Sequence, residues 1–187
     1  MSLNNIIKNY FNTHKDIFSK IDFDSIENAI KIIEKTISND KKIITFGNGG
    51  SASTAQHFIT DWNKMANVNL KKKVKGISLN DNMGIITAYG NDLNFDKIFS
   101  EQIKSLVDKD DLCIAISVSG NSNNVLEGIK EAKNIKASTL SLTGFDGGKL
   151  KELTDNYIHV PCYDMQICED IHLMIGHIIM KSIATKN

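Results

Sequence analysis

Two residues on one predicted helix have the types and the spacing of metal ligands. His57 and Asp61 are four positions apart, so a helix places them on one face, about 6 Å from each other. An imidazole and a carboxylate held in this way can bind one divalent ion when further ligands come from elsewhere in the fold. The same spacing is also typical of a simple surface ion pair. The pair by itself leaves both interpretations open.

A glycine-rich turn precedes that helix. The uncharged run at 43–46 predicts a strand buried on both faces, and Gly47, Gly49 and Gly50 permit a tight turn close to a ligand. Ser51 is predicted to be the helix N-cap, so that the first N–H groups of the helix would face an anion. The GxGxxG and GxxxxGK[ST] spacings are missing, which excludes a dinucleotide fingerprint and a P-loop.

A second polar loop, SVSGNS at 117–122, follows another uncharged strand. Ser117, Ser119 and Ser122 present three hydroxyl groups, and Gly120 lets the backbone N–H groups come close to a ligand at a helix start. Such a loop suits a phosphate group without using Lys or Arg. The alternative is a serine-rich turn that only caps a helix, for which Ser122 is sufficient.

Composition narrows the class of protein. The chain has 187 residues, which is enough for one domain with a real core, and its 22 basic residues balance 22 acidic ones. This balance gives no support for binding to nucleic acid or to an anionic membrane, and the basic cluster at 71–75 is interpreted as a solvated loop. No signal sequence or apolar run of 18 residues is present, so we expect a soluble, cytoplasmic protein. Three cysteines without a CxxC motif indicate reduced thiols.

The elements that must position these residues follow from the hydrophobic pattern. Strands alternate with helices, which predicts an α/β fold with a five-stranded parallel sheet flanked by helices. Ligands of such sheets bind at the carboxyl ends of the strands, near the topological switch point. The predicted strands are 43–46, 74–79, 112–117, 138–143 and 157–160. The predicted helices are 3–20, 23–37, one after the glycine turn, 81–89, 95–107, 122–134 and about 20 residues from Asp164. Ser25 is predicted to cap the second of them, and Gly90-Asn91-Asp92 is predicted to end the helix at 81–89.

Five motifs in this order resemble the sugar isomerase (SIS) domain and, more narrowly, the phosphoheptose isomerase family. They are GNGGSA…AQHF, GND before a helix, SxSGNS, LTGxDGG and a last helix with E-x-x-H-x-x-x-x-H, and together they cover nearly the whole chain. The resemblance implies a single SIS domain over residues 1–187 and an isomerase that converts sedoheptulose 7-phosphate to a heptose 7-phosphate. It also implies a zinc ion and a homotetramer with its site between subunits. The two N-terminal helices, residues 1–40, are then predicted to be the oligomerisation element.

The resemblance also assigns roles to residues of this chain. The implied substrate-binding residues are Asn48, Gly49, Gly50, Ser51, Asn91, Asp92, Ser117, Val118, Ser119, Ser122 and Glu169. The implied metal ligands are His57, Asp61, Glu169 and His177. For proton transfer, His177 is predicted to be the base, Asp61 its acid/base partner and Glu169 a second base. The chain departs from the family pattern in having Asp61 in place of Glu and Glu169 in place of Gln.

Two other functions remain open at this stage. One is a non-catalytic SIS protein that acts through tetrameric contact with a replication initiator, although such relatives tend to lack the histidine that His177 provides here. The other is an isomerase of a different phosphosugar, for example one that feeds a capsule pathway.

Overall fold

The strand arrangement of the computed structural model, which describes residues 2–68 and 70–185, confirms the predicted fold class. Five parallel strands form one sheet in the order β2-β1-β3-β4-β5. They are β1 (Lys42–Gly47), β2 (Lys75–Ser78), β3 (Leu112–Ser117), β4 (Ser138–Thr143) and β5 (Asn156–His159). The order reverses between β1 and β3, so the topological switch point lies where the glycine-rich turn and the serine loop both leave the sheet.

The helices cover both faces of the sheet. They are α1 (Leu3–Phe18), α2 (Phe23–Ser38), α3 (Gly50–Lys64), α4 (Met83–Asp92), α5 (Ser100–Leu106), α6 (Asn123–Asn134), α7 (Gly148–Leu153) and α8 (Met165–Thr185). Neighbouring residues of β1 point to opposite sides, so Ile43 packs with α2, α3 and α8, whereas Ile44 packs with α5 and α6. Burial on both sides explains why the strands lack an alternating polar pattern.

Several predicted boundaries are wrong. The stretch 95–107 is a 3₁₀ turn (Phe95–Lys97) followed by α5, and α4 starts after Asn82 and continues through Gly90-Asn91-Asp92. The short α7 was not predicted, because LTGFDGG reads as a turn and six residues are too few to show helical periodicity.

The predicted helix caps also need correction. Gly49, with φ 55°, is the N-cap of α3, and Ser51 is a buried residue of its first turn. Asp22 caps α2 by accepting the Asp24 N–H, whereas Ser25 donates its hydroxyl to the Asp22 carbonyl. Ser122 occupies the N-cap position of α6, yet its side chain makes no cap hydrogen bond within the described residues. Capping therefore does not use the Ser122 hydroxyl.

Helix α1 has an apolar face that its own chain leaves exposed. Leu3 and Phe11 are 74% and 71% exposed, and Ile6 and Ile7 also face outwards. Tyr10, on the same face of the helix, donates its hydroxyl to Asp170 of α8 at 2.7 Å. None of the helices that the structure describes has an apolar stretch suited to crossing a bilayer.

Candidate functional site

The glycine-rich turn and the serine loop meet in one pocket at the switch point. Its volume is about 220 Å³, and none of the described residues that line it is basic. The lining residues are Asn48, Gly49, Gly50, Ser51, Ser117, Val118, Ser119, Ser122, Met165 and Glu169. All of them except Met165 were predicted from the sequence. Met165 carries no motif, although its position one helical turn before Glu169 on α8 could have indicated it.

Side-chain amides and close backbone packing hold the glycine-rich turn. The Asn80 side chain accepts the Gly47 N–H at 3.2 Å and donates to the Gly47 carbonyl at 3.0 Å, as a neighbouring strand would. A Cβ at Gly47 would lie 2.6 Å from the Ile116 carbonyl oxygen, so only glycine fits between β1 and β3. The turn is thus fixed against both neighbouring strands.

The unpredicted helix α7 supports the serine loop. Gly120 has φ 61°, and a Cβ there would clash with the Gly147 carbonyl. The Leu150 N–H donates to the Gly120 carbonyl at 2.9 Å, and Asn121 links the Ser119 carbonyl to the Lys149 N–H. The serine loop therefore takes its shape from a segment that follows the next strand.

Three of the four predicted metal ligands converge. The Nε2 atoms of His57 and His177 are 3.0 Å apart, and Asp61 Oδ2 lies 3.4 Å from the first and 3.5 Å from the second. Tetrahedral zinc with nitrogen and oxygen ligands separates its donor atoms by about 3.3 Å, so the group fits a zinc-like ion in geometry and in chemistry. His57 and Asp61 are thus more than an isolated surface pair.

A glycine brings the two helices of this group together. Gly176 precedes His177 on α8, and a Cβ there would clash with the ring of Phe58, the residue after His57 on α3. Trp62 of α3 donates its indole N–H to the Gly176 carbonyl at 3.2 Å. Close packing of α3 on α8 at Gly176 therefore sets the distance between the two imidazoles.

Glu169, the fourth predicted ligand, lies outside this group of three. Its carboxylate sits against Gly50 at the start of α3, where a Cβ would clash with both carboxylate oxygens. Burial, and then the charge of Asp170, raises the pKa of Glu169 above its ordinary value. The structure thus places an ionisable carboxyl group directly in the pocket wall.

Asn91 and Asp92 do not reach the pocket of their own chain. They form the exposed last turn of α4, where the Asn91 amide donates to the Asp92 carboxylate at 2.9 Å. The structure of the described chain therefore does not bring Asn91 and Asp92 together with the other predicted substrate-binding residues.

His172 belongs to the core. It is fully buried, and its Nε2 lies 3.2 Å from the Thr143 carbonyl oxygen at the end of β4. Burial lowers its pKa to about 4, and the nearby His159 adds to this effect. Burial likewise raises the pKa of the Cys168 thiol to about 11, which argues against a reactive thiolate beside Glu169.

The fold and the site together define an SIS-domain protein: the SIS domain model matches residues 9–144. The chain is 38% identical to the phosphoheptose isomerase of Helicobacter pylori over 95% of its length and 93% of that protein. Its identity to the Aliarcobacter butzleri enzyme of the same name is 37%, over 95% of both chains. The chain belongs to the phosphoheptose isomerase family.

Solved structures agree with this assignment. The phosphoheptose isomerase from Neisseria gonorrhoeae superposes with a TM-score of 0.90 at 30% identity, over 97% of this chain and 98% of that one. The one from Francisella tularensis gives a TM-score of 0.92 at 27% identity over the full length of both chains.

Proposed function

We propose that this chain interconverts sedoheptulose 7-phosphate and D-glycero-D-manno-heptose 7-phosphate in heptose biosynthesis. One observation carries the proposal. Helices α3 and α8 both begin at the pocket formed by the glycine-rich turn and the serine loop, here called the loop pocket. Both also contribute to the group formed by His57, Asp61 and His177, here called the imidazole–carboxylate group. Gly50 and Ser51 lie at the pocket and His57 and Asp61 follow on α3, while Glu169 precedes His177 on α8. A sugar phosphate can thus be anchored at one end and react at the other.

The phosphate group is proposed to bind in the serine loop. Ser117, Ser119 and Ser122 would donate their hydroxyls to it, and the N–H groups at the start of α6 add a favourable dipole. Asn48, Gly49, Gly50, Ser51 and Val118 would line the rest of the substrate. Hydrogen bonds to a charged group are about twice as strong as neutral ones, so these donors can hold a phosphate without a cation.

Isomerisation moves a proton between adjacent carbons through an enediol, which requires a base and an acid near the carbonyl. We assign these roles to His177, Asp61 and Glu169. A zinc ion held by His57, Asp61 and His177 would supply Lewis-acid polarisation of the substrate carbonyl. A nitrogen that binds a metal cannot take a proton, so His177 can serve as the base only without the ion. With the ion bound, Glu169, which lies in the pocket wall outside the group of three ligands, is the base.

The assignment of Glu169 as a base predicts a loss of turnover when its carboxyl group is removed. Changing Glu169→Gln removes the base but keeps the shape, so turnover should fall by about 10²- to 10⁴-fold with metal content retained. The matched control is Glu101→Gln, a carboxylate of α5 that pairs with Lys104 and does not line the pocket. Turnover is measured from initial rates. A Glu169→Gln protein that turns over within threefold of the control would contradict the role of Glu169 as a second base.

The assembly is proposed to be a cytoplasmic homotetramer without nucleic-acid or membrane partners. The exposed apolar face of α1, formed by Leu3, Ile6, Ile7 and Phe11, supports residues 1–40 as the contact between copies. In such an assembly, Asn91 and Asp92 of one copy would complete the site of another. Light scattering of the purified protein tests this: a monomer mass at working concentration would contradict it.

The reaction itself is tested by incubating the zinc-loaded protein with sedoheptulose 7-phosphate and following the products by NMR. We expect an aldoheptose 7-phosphate. Parallel incubations with ribulose 5-phosphate and fructose 6-phosphate test for another phosphosugar substrate. Conversion of neither the heptulose nor these sugars would contradict an isomerase and favour a non-catalytic SIS protein.

A further inference from the structure

Two amide side chains, a half-buried Asn48 and a buried Asn124, join the two loops of the pocket. Asn48 of the glycine-rich turn donates its Nδ2 to Asn124 Oδ1 at 2.8 Å, and Asn124 donates its Nδ2 to Asn48 Oδ1 at 2.9 Å. Asn124 is the second residue of α6, directly after the serine loop, and is 2% exposed. The contact therefore links segments 76 residues apart in the chain.

The orientation of both amides is fixed by the backbone. The Val125 N–H donates to the Ser122 carbonyl at 3.1 Å and to Asn124 Oδ1 at 3.0 Å, and an NH₂ group in place of that Oδ1 would face another donor. The Asn124 oxygen must then face the Asn48 NH₂ group, and the Asn124 NH₂ group must face the Asn48 oxygen. One donor and the oxygen of Asn48 are thereby held by Asn124, which leaves its second N–H for the pocket.

Asn124 has no direct place in the pocket. Among the described residues, Asn48 lines the pocket and Asn124 does not. On the other side of the turn, Asn80 holds the Gly47 backbone, but it contacts β1 and not the serine loop. Within the described part of the chain, the Asn48–Asn124 pair is the side-chain hydrogen bond that spans from the glycine-rich turn to α6.

We propose that Asn124 is a positioning residue that sets the spacing between the sugar-binding turn and the phosphate-binding loop by holding Asn48. This inference rests on the proposed function, in which one substrate contacts both loops. A sugar phosphate spans the two loops, so it should be sensitive to their spacing. Inorganic phosphate occupies only the serine loop, so its affinity should not depend on Asn124.

The test uses Asn124→Ala in the full-length, metal-loaded protein and measures the Kd of two probes by calorimetry. Sedoheptulose 7-phosphate should bind about 10-fold more weakly, and inorganic phosphate should bind within about twofold of wild type. Asn28→Ala is the matched control, because it removes another amide–amide contact, to Asn156, away from the pocket. Should Asn124→Ala fail to fold, Asn124→Ser replaces it with the same expectations.

A double-mutant cycle separates positioning from a general structural role. In an Asn48→Ala background, Asn124→Ala should weaken sugar phosphate binding by no more than about twofold, because its partner is already gone. Equal weakening of both probes, additive losses in the cycle, or a sugar phosphate Kd unchanged from wild type would each overturn the inference. Failure of the wild-type protein to bind or convert sedoheptulose 7-phosphate would instead count against the proposed function.

Discussion

The loop pocket and the imidazole–carboxylate group are built in opposite ways. Neutral groups at the two loops make up most of the pocket lining, with Glu169 of α8 as the ionisable exception. Backbone contacts and amide side chains such as Asn80 and Asn124 fix the positions of the loops. The second region consists of ionisable side chains, His57, Asp61 and His177, held by the packing of two helices. Rigid neutral donors suit binding, whereas ionisable groups suit proton transfer and metal ligation. The difference indicates that binding and chemistry can be damaged separately.

One added methyl group at Gly176 should disrupt the packing of α3 on α8. Gly176→Ala adds a methyl group that clashes with Phe58, so α8 must move away from α3 and separate His57 from His177. We expect metal affinity to fall by about 10- to 100-fold and the protein to lose about 1–3 kcal/mol of stability. Metal titration monitored by calorimetry checks the first effect, and urea unfolding checks the second.

Gly90→Ala is the control for this change, since a Cβ there meets only Ile98 Cγ2 at 3.9 Å within the described residues. Metal affinity of Gly176→Ala equal to that of the control would show that close helix packing does not set the ligand positions.

The pocket can be damaged without touching the metal group. Ser119→Ala removes one proposed donor to the phosphate, so KM should rise by about 10- to 100-fold while metal content stays the same. Ser105→Ala removes a hydroxyl that donates to the Glu101 and Gln102 carbonyls within α5, and it should leave KM unchanged. Loss of metal in Ser119→Ala, measured by atomic absorption, would mean that the two regions are not independent.

His172 lies on α8 near His177, but we expect it to take part neither in substrate binding nor in the chemistry. Unfolded histidine takes a proton near pH 6.5, whereas folded His172 does so only near pH 4. Protons therefore favour the unfolded chain between these values, and stability falls as the pH drops from 6.5 towards 4. The loss of stability caused by His172 amounts to about 2 kcal/mol at pH 5.

His172→Gln should remove this loss of stability at acidic pH. It should also change turnover less than Gly176→Ala or Ser119→Ala does. The check is urea unfolding of both proteins at pH 8 and pH 5. A wild-type midpoint that falls no further than that of His172→Gln on acidification would contradict a neutral, buried His172.

The same contrast explains what the sequence could predict. Both loops are local motifs at strand ends, so residues such as Gly49 and Ser119 could be identified directly from type and spacing. His177 is 116 residues beyond Asp61, and no pattern in the sequence pairs them; only the family resemblance indicated the partner. The helix at 81–89 was predicted, but its continuation through Gly90 was missed because glycine was interpreted as the helix end, whereas one glycine costs a helix only about 1 kcal/mol. Asn124 gave no signal, since its role depends on a long-range contact.

The most direct test of the account is the turnover of His177→Ala at saturating sedoheptulose 7-phosphate, with His159→Gln as the control histidine. We predict a loss of about 10²-fold or more for His177→Ala, together with sugar phosphate binding within about threefold of wild type. Turnover equal to that of the control would contradict the claim that this group performs the chemistry on a substrate anchored by the loops.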